Sequence, residues 1–210
     1  FIWECFSALI QNILSIPIKW CYLKFKFGHK FIGREKYKEC KDTGFFIYSN
    51  HTQAFSDTFT TSMSVLPKRN YLIVHPANIS VKPFGGLVEL LGAIPIPGNV
   101  TATKKFMDVI EDRVVNKKQS ITIYPEAHIW PYYVGIRNFK AVSFTYPIKL
   151  NKPVFCVTNT YQKKNNSSKV KMVSYIDGPF YPDMSLNKKD AQKKLRDMVY
   201  EKMVERARNS

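Results

Sequence analysis

Two short stretches of this chain concentrate side chains able to move protons. One runs Ser49-Asn50-His51-Thr52-Gln53-Ala54-Phe55-Ser56-Asp57 and the other Tyr124-Pro125-Glu126-Ala127-His128. A neutral imidazole can take a proton from an alcohol only if its second nitrogen is held as a donor, and a carboxylate does this while stabilising the imidazolium that forms. His51 and Asp57 supply that pair if they meet in space. On one continuous helix a separation of six residues would turn them roughly 120° apart. Pairing therefore predicts a non-helical turn across residues 50–56, with a helix opening near Asp57 and Ser56 or Asp57 as its N-cap. Two other uses of these residues stay open at this point. His51 can simply satisfy loop backbone with Asp57 as a cap, or His51, Asp57, Glu126 and His128 can ligate zinc or manganese in a hydrolase. No HExxH or comparable tight ligand pair is present, no GxSxG nucleophile elbow occurs, and Gly85-Gly86 lacks the GK[ST] of a phosphate loop.

Both stretches follow short apolar runs. Phe45–Tyr48, Tyr71–Val74, Ile121–Tyr124 and Pro153–Val157 are rich in β-branched and aromatic residues, the pattern of buried strands. Helical spacing is predicted near 57–66, 82–91, 101–117 and 186–207. The third would present Ala102, Phe106, Val109, Ile110 and Val114 on one face, the last Ala191, Leu195, Met198 or Val199, and Met203. Residues 163–168 read as a solvated hairpin loop leading into a strand at 169–176. Strand alternating with helix predicts a single-domain α/β fold with a mostly parallel central sheet flanked by helices. In such sheets ligands bind beyond the carboxyl ends of the strands, where both proton-handling stretches fall.

The chain has 210 residues, 45% of them hydrophobic and 23% charged, which excludes a disordered, collagenous or coiled-coil protein. Four cysteines far apart, with no CxxC, argue against a disulfide framework or a structural zinc and fit a reducing compartment. The net charge of +16 is spread along the chain and should attract an anionic partner. Nucleic acid is not the expected one, because no RNP strand, zinc-finger spacing or basic heptad region is present. The first residues point to a membrane surface instead. Ile2, Phe6, Leu9, Ile13, Ile16 and Trp20 recur at helical spacing, with Glu4, Ser7, Gln11 and Ser15 as a polar stripe between them. A polar face and Pro17 favour a helix lying in the interface over one that spans it, and Lys19, Lys24, Lys26 and Lys30 would meet anionic headgroups. The segment lacks the basic start and small-residue cleavage site of a signal peptide. Residues 1–30 are thus read as an amphipathic, membrane-associated segment and 31–210 as a catalytic domain.

Four motifs in order carry a family resemblance: Asn50-His51 with an acid downstream, Gly92-Ala93-Ile94-Pro95-Ile96-Pro97, Tyr124-Pro125-Glu126-Ala127, and Lys152-Pro153-Val154-Phe155-Cys156-Val157. Together with Phe139-Lys140 they resemble the glycerolipid acyltransferases, typified by 1-acylglycerol-3-phosphate O-acyltransferase, over about residues 30–160. The resemblance implies transfer of a fatty acyl group from a thioester on coenzyme A or acyl carrier protein to the hydroxyl of a lysophospholipid at the cytoplasmic face of a membrane. That thioester is a co-substrate, and no cofactor is implied. His51 would be the general base, Asp57 would orient it, and Asn50 and Glu126 would contact or position the acceptor. Three departures stand out. Five residues separate His51 from Asp57 instead of four, leaving Ser56 where the acid is expected. Gly98 replaces the arginine that ends the second motif. The third motif, usually Phe-Pro-Glu-Gly with an arginine after it, has Ala127 and His128 and no arginine before Arg137. Arg137, Lys140, Lys104 and Lys105 are the candidate substitutes for binding acceptor phosphate. A basic membrane-peripheral protein with a decayed site is the non-enzymatic alternative.

Overall fold

The computed structural model describes residues 2–78, 85–163 and 170–210. Seven strands form one sheet: β1 (Lys30–Ile32), β2 (Phe45–Ser49), β3 (Asn70–Val74), β4 (Ala93–Pro95), β5 (Ser120–Ile123), β6 (Val154–Lys163) and β7 (Val170–Phe180). Their order is β1-β7-β6-β2-β5-β3-β4, and every pairing is parallel except β6 with β7. The mostly parallel α/β architecture is the expected one. β6 runs six residues beyond its predicted end, and the connection 164–169, which holds most of the expected hairpin loop, lies outside the described residues.

The helices are α1 (Ile2–Leu9), α2 (Ser15–Phe27), α3 (Ser56–Ser64), α4 (Gly85–Leu90), α5 (Val100–Glu111), α6 (Thr145–Leu150) and α7 (Lys188–Ala207). Alternation along β2 sends Phe46 and Tyr48 into a core with Ile121, Phe106, Ile110, Leu195 and Val199. It sends Phe45 and Ile47 to the other face, against Tyr37, Val65, Phe155 and Val157. Both faces are dry, so the strand reads as an uninterrupted apolar run. Ala191, Leu195, Val199 and Met203 are the inward stripe of α7, whereas Met198 and, on α5, Val109 stay partly exposed. The three-residue strands β1 and β4 and the six-residue α6 escape a reading of the sequence, because elements so short carry no period to detect. The start of the 82–91 helix and Pro83 lie outside the described residues.

Residues 2–27 are helical, with a π-type stretch at Ile10–Leu14 joining α1 to α2. The polar stripe faces the protein. Ser7 and Gln11 are buried, Ser7 donating to Leu90 O at 2.6 Å, and both accept from the guanidinium of Arg69, while the Gln11 amide also donates to Asn70 O. Phe6, Leu9, Ile13 and Trp20 of the apolar stripe are exposed instead, joined by Leu14, Ile18 and Phe25. Ile16 is half-buried, and the side chain of Ile2 lies outside the described set. Arg69 decides this orientation: a buried guanidinium must find acceptors, and the stripe supplies them. Gly92, at φ +96°, lets the helix approach, since a Cβ there would sit 3.0 Å from both Asn70 O and the Gln11 amide. Among the described residues no helix is long and apolar enough to cross a membrane. All four cysteines are free.

Candidate active site

Strand order assembles the site. β2 lies at the centre of the sheet between β5 and β6 and parallel to both, with Tyr48 opposite Ile123 and Ser49 opposite Val157. The loops that leave the carboxyl ends of β2 and β5 are therefore neighbours. β6 continues past the end of β2, which brings Asn159 alongside Asn50.

Residues 50–55 are non-helical and α3 opens at Ser56, so Asp57 turns back toward His51. His51 Nδ1 donates to Asp57 Oδ2 at 3.0 Å. The same oxygen accepts from the backbone N–H groups of Thr52 at 2.6 Å and Gln53 at 2.7 Å. Oδ1 accepts from Asn159 Nδ2 at 3.1 Å and, more weakly, from the Thr52 hydroxyl. Asp57 is fully buried and the His51 side chain is 15% exposed. The N-cap position belongs to Phe55, not to Ser56 or Asp57, because the aspartate is occupied with the preceding loop and not with the first turn of its helix. Ser56 is buried, its Oγ without a hydrogen-bond partner among the described residues. The extra residue is absorbed in the turn, and it is Asp57 that reaches the ring. The imidazole stacks on Tyr124, with ring centroids 4.3 Å apart, and its Nε2 makes no hydrogen bond to the described residues. An imidazole so held can accept a proton at Nε2.

Glu126 sits beside this pair, its carboxylate turned onto protein donors. Its carboxylate is 1% exposed and both oxygens are engaged: Oε2 accepts from His51 N at 3.1 Å and Arg137 Nη2 at 3.0 Å, and Oε1 from Arg137 N at 2.9 Å. Glu126 ties the backbone of the first loop to Arg137, which also donates to His128 O and lies 4.7 Å from the ring centroid of Trp130. Asn50 is 1% exposed, with Nδ2 donating to Asn159 O at 2.9 Å and Oδ1 accepting from Asn159 N at 2.8 Å, so its amide clasps the backbone of β6. Arg137 is the cation drawn into the site. Lys104 and Lys105 are exposed in the first turns of α5, and Lys140 is exposed beyond Arg137.

Ala127 occupies the glycine position of the third motif and adopts φ +65°, the left-handed conformation that explains why glycine suits that place. Ala127→Gly is expected to raise stability by about 0.5–1 kcal/mol, read as a higher melting temperature; a melting temperature at or below that of the wild type would contradict the strain.

The metal-site alternative finds no support in this arrangement. No group of three or more His, Cys, Asp or Glu residues is placed to hold an ion among the described residues, because Asp57 and Glu126 are turned onto N–H donors and His128 is exposed. His75 is likewise exposed, its Nδ1 accepting from Ala77 N. Trp130, Tyr132 and Tyr133 are exposed beside the first loop, with Trp130 N donating to His51 O and Tyr132 N to Thr52 O. Sequence reasoning missed Asn159 and Ser174. An asparagine inside the buried run Val154–Tyr161 was the available signal, since strands disfavour it and burial demands that its amide be satisfied. Two cavities of about 260 and 250 Å³ lie elsewhere, around Arg69, Tyr71 and Arg113 at the amino ends of β3 and β5.

Among solved structures, the chain is similar to the crystal structure of the 1-acyl-sn-glycerophosphate (LPA) acyltransferase PlsC from Thermotoga maritima. The TM-score is 0.63 at 16% identity, covering 97% of this chain and 78% of that one, a likeness of fold. No curated protein sequence matches the chain. A family model described as Acyltransferase matches residues 29–160, which contain the His51 loop, the Glu126 loop, Arg137 and Asn159. More than half of the chain lies within that match, and the protein belongs to the acyltransferase family of enzymes.

Proposed function

We propose that this enzyme transfers a fatty acyl group from a thioester on coenzyme A or acyl carrier protein to the hydroxyl of a lysophospholipid of the lysophosphatidic acid type, with His51 as general base. The observation that carries the reading is the 3.0 Å contact between His51 Nδ1 and a buried Asp57, which leaves Nε2 free on a partly exposed ring. Nε2 takes the proton of the acceptor hydroxyl as its oxygen attacks the thioester carbon. The tetrahedral oxyanion then collapses with expulsion of the thiolate, which recovers the proton, so no acyl-enzyme intermediate is needed. Arg137, held in place by Glu126, offers the rest of its guanidinium to the acceptor's phosphate in place of the arginine missing at Gly98, and Lys104, Lys105 and Lys140 add positive charge around it. The 1-acyl-sn-glycerophosphate after which the Thermotoga enzyme is called carries such a phosphate. The test is release of free thiol from acyl-coenzyme A and, separately, acyl carrier protein, in detergent, dependent on added lysophosphatidic acid. Purified protein inert with both donors across a range of lysolipids and chain lengths would reject the reading in favour of a decayed site.

The same proposal places the enzyme at a membrane surface by peripheral attachment, on the cytoplasmic side. Phe6, Leu9, Ile13, Ile18, Trp20 and Phe25 project from the helical residues 2–27 away from the core, and Lys24, Lys26 and Lys30 are exposed as well. Removing residues 1–20 would also strip Arg69 of its acceptors, so point replacement is the cleaner experiment. Sedimentation with anionic liposomes is expected to weaken as salt is raised and to drop severalfold in the triple variant Phe6→Ser, Ile13→Ser, Phe25→Ser. Equal binding by that variant would remove the helix from the membrane role.

A further inference from the structure

Behind the His51–Asp57 pair a line of buried polar groups runs across two strands. Asn159 on β6 donates through Nδ2 to Asp57 Oδ1, its Oδ1 accepts from Ser174 Oγ on β7 at 2.5 Å, and Ser174 Oγ lies 2.8 Å from His29 Nε2. Asn159 and Ser174 are direct partners in the antiparallel register of β6 and β7. We propose that Asn159 is a positioning residue for acyl transfer: its side-chain amide holds the Asp57 carboxylate so that His51 keeps its proton on Nδ1 and its lone pair on Nε2. The inference rests on the general-base reading of His51.

Donor arithmetic supports the direction of every bond in the line. A carboxylate oxygen only accepts, so the group that Asn159 turns toward Asp57 must be its NH2, and its oxygen must face Ser174. Ser174 has one hydroxyl hydrogen, which it gives to that oxygen, and must therefore accept from His29 Nε2–H. Burial pushes the pKa of His29 down to about 4, which keeps the ring neutral near pH 7, a form in which Nε2 can carry the single proton. All donors then point toward Asp57, whose Oδ2 is left to accept from Thr52 N, Gln53 N and His51 Nδ1. With the amide removed, Oδ1 loses its better donor, the carboxylate is free to turn, and the ring can take up its other tautomer.

This duty is separable from bracing the fold. The reciprocal clasp with Asn50 uses only the backbone N–H and C=O of Asn159, so it survives any side chain at that position. Two variants of the full chain exploit the difference. Asn159→Ala deletes the amide. Asn159→Asp keeps its shape and the acceptor for Ser174 but sets a second carboxyl against Asp57. Both are expected to lose about 10–100-fold in kcat with KM changed less than about twofold. In 15N-labelled protein the His51 ring, identified by its absence in His51→Ala, is expected to pass from a single Nδ1–H tautomer to a mixture. Wild-type kcat in both variants overturns the inference, and so does a loss of kcat with the His51 tautomer unchanged, which would mean that the strand pair alone was disturbed. Should Asn159→Ala fail to fold, the isosteric Asn159→Asp carries the same test. The general-base reading fails separately, on full activity in His51→Ala.

Discussion

His51→Ala is expected to reduce acyl transfer about a thousandfold while leaving the protein folded. A positioned general base contributes on the order of 10²–10⁴ in rate, so the loss corresponds to about 4 kcal/mol of transition-state stabilisation. The ring stacks on Tyr124 and belongs to none of the hydrophobic core clusters, so truncation spares the core. It leaves Asp57 with its backbone donors Thr52 and Gln53 and with Asn159. The effect should therefore fall on kcat with the lysolipid KM nearly unchanged, because an interaction made only as the proton moves is absent from the ground state. Thiol release and an unfolding curve measured on the same preparation decide it. A loss smaller than tenfold in a folded variant would remove His51 from the chemistry and with it the acyl-transfer mechanism proposed for this site.

Glu126→Ala is expected to damage both stability and rate, because three donors converge on a carboxylate that water scarcely reaches. Deleting it leaves the Arg137 guanidinium, whose Nε already lacks a partner among the described residues, without its carboxylate anion, and it frees the backbone N–H of His51. Orphaning a mostly buried charge costs several kcal/mol in general. Arg137 keeps the carbonyl of His128 and a 14% exposed side chain, so about 2–3 kcal/mol is expected here. The first loop would also lose its tether to the second, which should lower kcat about a hundredfold and raise the lysolipid KM as Arg137 drifts. Glu126→Gln, which retains one acceptor oxygen, should fall between. Urea unfolding and acyl transfer measured together test the pair of claims; an unchanged unfolding midpoint in Glu126→Ala would show that the carboxylate braces nothing.

Legibility differed with the range over which a feature is determined. The His51–Asp57 pair could be anticipated because it is local: six residues, a helix that would forbid contact and a turn that permits it. The central strands could be read for a similar reason, since β2, β5 and β6 are dry on both faces and spell themselves out as apolar runs. Asn159 was missed, and the partners of Glu126 were not anticipated, because those contacts join residues distant in the chain. Asn159 meets Asp57 across 102 residues and Glu126 meets His51 across 75, and both meetings depend on which strands flank β2.

The N-terminal helix shows the division most sharply. The amino-acid order alone determined that residues near the start form a helix with one apolar and one polar stripe, and that a histidine and an aspartate able to pair follow the first central strand. Which stripe is buried was decided by the surface beneath it, where the Arg69 guanidinium and the Asn70 carbonyl demand polar partners and draw in Ser7 and Gln11. Spacing along a chain reports that two faces exist; which one turns inward is set by the hydrogen-bonding needs of whatever the rest of the chain brings against it.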